Sequence, residues 1–323
     1  MSLKIPFISI IIPLLNEERY LAACLDSLNK LDYPRDKFEI IIVDNGSTDA
    51  SLDIAGQYEV QIYQHPRVKV GAVRNYGVTK AKGELVVFID SDCVAEPDWL
   101  HRGVASLGER YKAVGGLYLL REHPAWIERY WILKSTRDFT YQTTFVGGCI
   151  FIWRDIFNSL GGFDEAMSAG EDTDITQRLK SSGHEINIDP QLSVVHLGYP
   201  VTIGSFIKRQ MWHSENYYQN FRAALGDKVF LLTNAFMLGF ILVLSSPLLG
   251  SFSLLTGVLL FATSPLALSA KRILRYKAGD IGVSGMVSVY LVDMLYLVGR
   301  VFGALRSLRK AIASGPDQKS TRR

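Results

Sequence analysis

Glu84-Leu85-Val86-Val87-Phe88-Ile89-Asp90-Ser91-Asp92-Cys93 opens on β-branched and aromatic residues, the pattern of a strand buried on both faces. It then ends in two carboxylates one residue apart. Alternation along an extended chain puts Asp90 and Asp92 on the same side, where they repel each other unless a cation sits beside them. In open α/β sheets the carboxyl ends of the strands are also where ligands bind. A divalent metal carrying a diphosphate satisfies both conditions, because Mg2+ and Mn2+ favour a few carboxylates plus phosphate oxygens. An isolated Asp-x-Asp leaves a second reading open: Asp92 as a helix N-cap, with Asp90 solvated.

Working outward, Phe7 to Pro13 reads as a first strand, and Asn16-Glu17-Glu18 is expected to open a helix running from about Arg19 to Leu28. Phe38 to Asp44 reads as a second buried strand, stopping at the turn Asp44-Asn45-Gly46-Ser47-Thr48-Asp49 before a helix near Ser51. A weaker strand covers Val60 to Tyr63, and Gly71 to Gly77 starts another helix. Strand and helix alternate, which predicts a parallel, right-handed wound sheet. Farther on, Glu171, Asp172 and Asp174 form a second acidic focus at the start of a helix, and Val194-Val195-His196 ends another apolar strand.

Several of these stretches, in this order, resemble family 2 glycosyltransferases. Ser9 to Glu18, Ile41 to Asp49, Gly71 to Asn75, Phe88 to Asp92, Gly147-Gly148, Gly161 to Glu165 and Gly170 to Asp174 carry the resemblance, which covers roughly Phe7 to His196. It implies an α/β fold of GT-A type, Rossmann-like with a mostly parallel sheet, and an inverting transfer that uses Mn2+ or Mg2+. Asp92 is then the direct metal ligand, Asp90 holds the ribose or a metal-bound water, and His196 is a candidate third metal ligand. Arg74 contacts the nucleotide or its phosphates, Pro13 shapes the loop over the base, and Glu17 caps that loop or contacts the nucleoside. Asp44 either accepts from the imide N–H of uracil or guanine, which favours a UDP- or GDP-sugar, or serves only as a turn former. Asp172, next to Glu171, matches the general base that takes the proton of the acceptor, a role that requires hydrogen-bond reach; helix capping is its structural alternative. Gly147 and Gly148 permit close backbone approach. The sequence departs from the family at Leu15, where an aromatic residue is common.

Ile203 to Arg222 reads as an amphipathic, aromatic and basic helix able to lie on a membrane surface. By resemblance, Arg209 and Trp212 close over the diphosphate and face the acceptor. Val229 to Ala270 contains no Asp, Glu, Lys, Arg or His. At ~1.5 Å per residue it reaches roughly twice the ~30 Å hydrocarbon core, so a transmembrane hairpin turning near Ser245 to Ser251 is expected. Lys271-Arg272 and Arg275 to Lys277 mark a cytoplasmic return. Val283 to Leu308 is expected to stay on that side, re-entrant or interfacial, because a full span would put the following arginines outside. Asp293 and Arg300 are expected to pair there, or Arg300 to meet a lipid phosphate. The tail from Gly315 reads as disordered. The domain boundaries that follow are 1–225 catalytic, 226–270 hairpin and 271–323 return segment.

The formal charge of +3 over 323 residues is ordinary, and no nucleic-acid partner is expected. Cys24, Cys93 and Cys149 are odd in number and scattered, which fits a reducing compartment and argues against a disulfide framework. Ile5 to Leu15 is apolar, but Asn16-Glu17-Glu18-Arg19 follows directly without a small-residue cleavage site, so it reads as a strand and not a signal peptide. The expected protein is a glycosyltransferase of a bacterial-type cytoplasmic membrane with its catalytic domain facing the cytoplasm. It would move a sugar from a nucleotide sugar to a hydroxyl or phosphate of a membrane lipid or lipid-linked acceptor. A processive polysaccharide synthase and a non-catalytic nucleotide-binding scaffold are the alternatives.

Overall fold

A computed structural model of the chain describes residues 5–108, 110–133, 143–167, 169–214, 225–275, 278 and 281–313. The chain divides into two compact units: residues 1–121 with 142–198, and residues 122–141 with 199–323.

The first unit is built on a seven-stranded sheet. Its strands are β1 (Ile8–Leu14), β2 (Phe38–Asp44), β3 (Gln61–Gln64), β4 (Leu85–Phe88), β6 (Tyr111–Gly115), β8 (Ile150–Trp153) and β9 (Glu185–Ile188), in the order β3-β2-β1-β4-β8-β6-β9. All pairings are parallel except those of β8 with β4 and β6. A smaller sheet of order β5-β10-β7 joins β5 (Cys93–Val94), β7 (Tyr118–Leu119) and β10 (Val194–His196). The near-continuous apolar runs follow from burial on both faces. Ile8, Ile10 and Ile12 point into one core with Leu21, Cys24, Leu25 and Leu28 of α1 (Leu21–Asn29), while Ile11, Ile41, Val73 and Phe88 point into the other.

Two expectations are corrected at the strand ends. Asn16-Glu17-Glu18 does not open a helix: α1 starts at Leu21 with no acid in its first turn. The side chains of Asn16 and Glu18 are committed to the neighbouring loop instead. Asn16 adopts a φ of 54°, its Oδ1 accepts from the Thr48 N–H, and Glu18 Oε2 accepts from the Ala50 N–H. Likewise, β4 stops at Phe88, so Asp90 and Asp92 stand in a turn, closed by the Cys93 N–H donating to the Asp90 carbonyl at 3.0 Å, and not on alternate positions of a strand.

The second unit is helical. It contains α5 (Trp126–Trp131), α8 (Ile203–Ser214), α9 (Lys228–Leu249), α10 (Ser251–Arg275) and α11 (Gly282–Ala313). The rest of the expected helix over 203–222 (residues 215–222), the residues Tyr276 and Lys277 and the tail from Gly315 lie outside the described residues. The helices α9 and α10 form the expected hairpin about Gly250, and α11 is an unbroken helix of 32 residues. All three are long and apolar enough to cross a membrane. Asp293 does not pair with Arg300. Its carboxylate accepts from Ser269 Oγ at 2.7 Å and from Arg272 Nη1, because α10 crosses α11 at that point. Arg300 instead donates to the His213 carbonyl at 3.2 Å and lies over the Tyr296 ring.

Candidate active site

Arg74, on α3 (Val70–Lys80), is the centre of the site in the first unit. It is 3% exposed, and its guanidinium donates to Asp90 Oδ1 and to Glu171 Oε1, both at 2.7 Å. Burial alone would favour losing the Arg74 proton, but Asp90 and Glu171 outweigh it and hold the cation firmly charged. The other Asp90 oxygen accepts from the Tyr118 hydroxyl at 2.6 Å, and that hydroxyl accepts in turn from the Gly148 N–H at 2.8 Å. Burial works against an ionised Asp90, yet Arg74 and the Tyr118 hydrogen bond keep its pKa below the usual carboxylate value. Tyr118 moves the other way: burial, then the Asp90 charge, push it well up, so it remains a phenol and a donor.

Gly147 and Gly148 are where the sequence needs no side chain. A Cβ on Gly147 would stand 2.7 Å from Arg74 Nη2, and one on Gly148 would stand 2.6 Å from Asp90 Oδ2. The Gly147 N–H donates to Asp172 Oδ2 at 3.1 Å, and the Thr173 N–H donates to Asp172 Oδ1 at 2.7 Å, at the start of α7 (Glu171–Ser181). Burial, followed by the neighbouring Glu171 charge, raises the Asp172 pKa. A carboxylate held by two backbone donors and made more basic is suited to accept a proton.

Asp92 faces another way. The antiparallel pairing of β10 with β5 sets His196 opposite Cys93, which brings His196 Nε2 to 3.4 Å from Asp92 Oδ2. Burial raises the Asp92 pKa, His196 opposes this, and Asp90 adds to it. Donor atoms of Asp92, Cys93 and His196 lie within 4.8 Å of one another. Burial and the two aspartates drive the Cys93 thiol well up, so it is a neutral, weak ligand. Carboxylate and imidazole remain, a set that suits Mn2+ with phosphate and water completing the shell. Gly198 keeps this space clear, since a Cβ there would collide with the Asp92 carboxylate. The residues therefore fit a divalent cation.

Other expected site residues have more local duties. Asp44 is 1% exposed and accepts from the Gly46 and Ser47 N–H groups, as a turn former does. Glu171 is committed to Arg74. Glu17 is half-buried, and its pKa is pushed up to about 7, by burial first and then by Asp92, Asp49 and Asp90. Pro13 precedes the last residue of β1. Arg209 and the exposed Trp212 belong to α8, in the second unit. Tyr118 was not legible in the sequence: it stands 28 residues from Asp90 and 30 from Gly148, and no local pattern marks it. A cavity of about 650 Å³ lined by Glu84, Lys112, Trp153 and Arg154 lies at the opposite end of β4 from these carboxylates.

A buried Arg–carboxylate centre, an Asp–His pair able to hold a cation and a backbone-held second acid thus stand on the mostly parallel, GT-A-type sheet unit. Residues 9–161 match the family described as "Glycosyl transferase family 2", and residues 133–199 match "N-terminal domain of galactosyltransferase". The stretch 9–161, just under half of the chain, is thus similar to the family 2 glycosyltransferases, and a GT-A-type domain is followed by apolar helices. It is 27% identical over 223 residues to glycosyltransferase AglE of Haloferax volcanii, a match covering 65% of this chain and 72% of AglE. It is 33% identical over 105 residues to dolichyl N-acetyl-alpha-D-glucosaminyl phosphate 3-beta-D-2,3-diacetamido-2,3-dideoxy-beta-D-glucuronosyltransferase of Methanococcus voltae, covering 30% of this chain and only 33% of that protein. Among solved structures it resembles the mannosyltransferase PcManGT of Pyrobaculum calidifontis, solved in complex with GDP-Man and Mn2+, with a TM-score of 0.55 and 22% identity over 94% of this chain and 88% of that one. That likeness concerns the fold.

Proposed function

We propose that the protein is a membrane-bound, inverting glycosyltransferase that moves a sugar from a UDP- or GDP-sugar to a hydroxyl or phosphate of a lipid-linked acceptor in cell-envelope glycan synthesis, with its catalytic unit on the cytoplasmic side. The observation that carries this reading is the Arg74 network, which ties Asp90 and Glu171 together and adjoins, through Gly147, the backbone-held Asp172.

Asp92 and His196 would hold Mn2+ or Mg2+, which when bound neutralises charge on a departing diphosphate. Asp172 orients an acceptor hydroxyl and takes its proton as that oxygen attacks the anomeric carbon. The new C–O bond forms opposite the bond that breaks, the electron pair leaves with the diphosphate, and the anomeric configuration inverts. Asp90, kept ionised by Arg74 and Tyr118, is free of the proton that would weaken its contact with a ribose hydroxyl or a metal-bound water. Arg209 and Trp212 are assigned to the diphosphate and acceptor side. The lipid-linked acceptor is supported by the apolar helices and by the dolichyl phosphate named for the Methanococcus voltae relative.

The test is to incubate membranes with radiolabelled UDP- and GDP-sugars and follow label into organic solvent. Asp172→Asn is expected to lower turnover by about 10²–10⁴-fold with nucleotide binding kept, whereas Asp92→Asn abolishes metal-dependent nucleotide binding. Normal turnover in either variant removes the site assignment.

A further inference from the structure

Length and composition allow three spans, but packing within the second unit distinguishes α11 from the hairpin. The helices α9 and α10 lie close together at mid-length: a Cβ on Gly239 would come 2.6 Å from the Phe261 nitrogen and 2.9 Å from the Gly257 carbonyl oxygen. The tip of the hairpin is bare, with Leu248 90% and Phe252 81% exposed. Its open end is covered. Phe236 of α9 and Leu268 of α10 are buried with Val292, Tyr296 and Leu297 of α11.

The order of contacts is the deciding feature. In an antiparallel third span, successive turns of α11 would meet successively deeper residues of α10. Here Tyr290 reaches the Ala262 carbonyl, while Asp293, one turn later, bonds Ser269 and Arg272, nearer the end of α10. A span entering at Gly282 would also carry Asp293 about 17 Å and Gly299 about 26 Å along its axis, the second nearly the ~30 Å hydrocarbon thickness. Arg272, the partner of Asp293, is only about 5 Å from the end of α10. Gly299 and Gly303 pack on α8, where a Cβ would fall 2.6 Å from Gln210 Cβ in the first case and against the Met211 carbonyl in the second. The α8 helix exposes Lys208, Arg209, Trp212 and His213, side chains at odds with a hydrocarbon core.

We propose that α11 is not a third span. It lies across the open end of the α9–α10 hairpin, in the membrane interface, beside α8. Val283, Val287, Leu291, Phe302, Leu305 and Ile312 are exposed at helical spacing along its length, one apolar stripe suited to the boundary between headgroups and acyl chains. Arg306 and Arg309 then remain on the side of the hairpin's open end, in keeping with the positive-inside tendency. This rests on the membrane association proposed above and not on glycosyl transfer, so inactivity would leave it standing.

Full-length Ser251→Cys and Ser320→Cys variants in cells separate the two topologies, since the native Cys24, Cys93 and Cys149 are fully buried. An impermeant maleimide should label Ser251→Cys, at the hairpin tip, from outside, and Ser320→Cys only after permeabilisation. Labelling of Ser320→Cys in intact cells overturns the proposal. A depth measurement gives an independent reading. A fluorophore on Leu291→Cys, about 14 Å along α11 from Gly282, should be quenched more strongly by shallow than by deep nitroxide lipids. Stronger deep quenching means that α11 spans.

Discussion

Replacing Arg74 by Met keeps most of the apolar stem and removes the charge. The side chains of Arg74, Glu171 and Asp90 are 4%, 9% and 23% exposed, so two carboxylates would lose their common partner with little water to take its place. Removing one member of a buried ion pair costs about 3–5 kcal/mol; the partial exposure of Asp90 argues for the lower end, about 3 kcal/mol at pH 7.5. That is a large share of the ~5–15 kcal/mol stability of an ordinary domain. The pH dependence fixes the cause. In the native protein the Asp90 pKa is depressed, so its contribution is present above the unfolded value of about 3.9 and is lost only as pH falls through the lower folded value. Without Arg74, burial dominates and raises the Asp90 pKa, and protonation relieves the variant as pH falls. The gap between the two proteins should therefore narrow from pH 7.5 toward pH 4.5. Hydrogen exchange at the amides of β1 and β4, read on the full chain in detergent, gives the opening free energy. A loss below about 1 kcal/mol, or one unchanged by pH, would refute an Arg74-centred network.

Tyr118→Phe keeps the ring but leaves Asp90 Oδ2 short of a donor and the Gly148 N–H without its acceptor; a loss of about 1–3 kcal/mol in the same exchange measurement is expected. Gly198→Ala drives a methyl into the Asp92 carboxylate, and Mn2+ affinity, followed by electron paramagnetic resonance, should fall on the order of 10–100-fold. The Glu17 pKa stands at about 7 against an ordinary 4.5, so its ionisation opposes folding fully above pH 7 and not at all below 4.5. Glu17→Gln should accordingly raise the melting temperature at pH 8 and leave it unchanged at pH 4; equal effects at both would place the cause elsewhere.

How much of this was legible in the sequence divides along a physical line. Apolar runs such as Ile40 to Val43 and Leu85 to Phe88 announce strands buried on both faces, because only two-sided burial removes the need for alternation. The charge-free stretch from Val229 to Ala270 announces its hairpin for a similar reason: it stays without a charged residue for about twice the length of one span. Hydrophobicity is a local property, and it can be read locally. The acids were found as well, since Asp90, Asp92 and Asp172 stand where strands end or a helix begins.

What the acids do was decided elsewhere in the chain. Alternation suggested that Asp90 and Asp92 share one cation, whereas a turn sends Asp90 to Arg74 and Tyr118 and sends Asp92 to His196. Asp293 found Arg272 of another helix, although Arg300 was the neighbour in its own. In each case the partner is more than fifteen residues away, brought up by strand register or helix crossing. A charge takes whichever opposite charge or donor the fold sets beside it, and its energy depends on that distance and on the water excluded around it. Composition and motif identify the acid; only the assembled sheet and helices determine whether it meets a cation, a phenol or an imidazole.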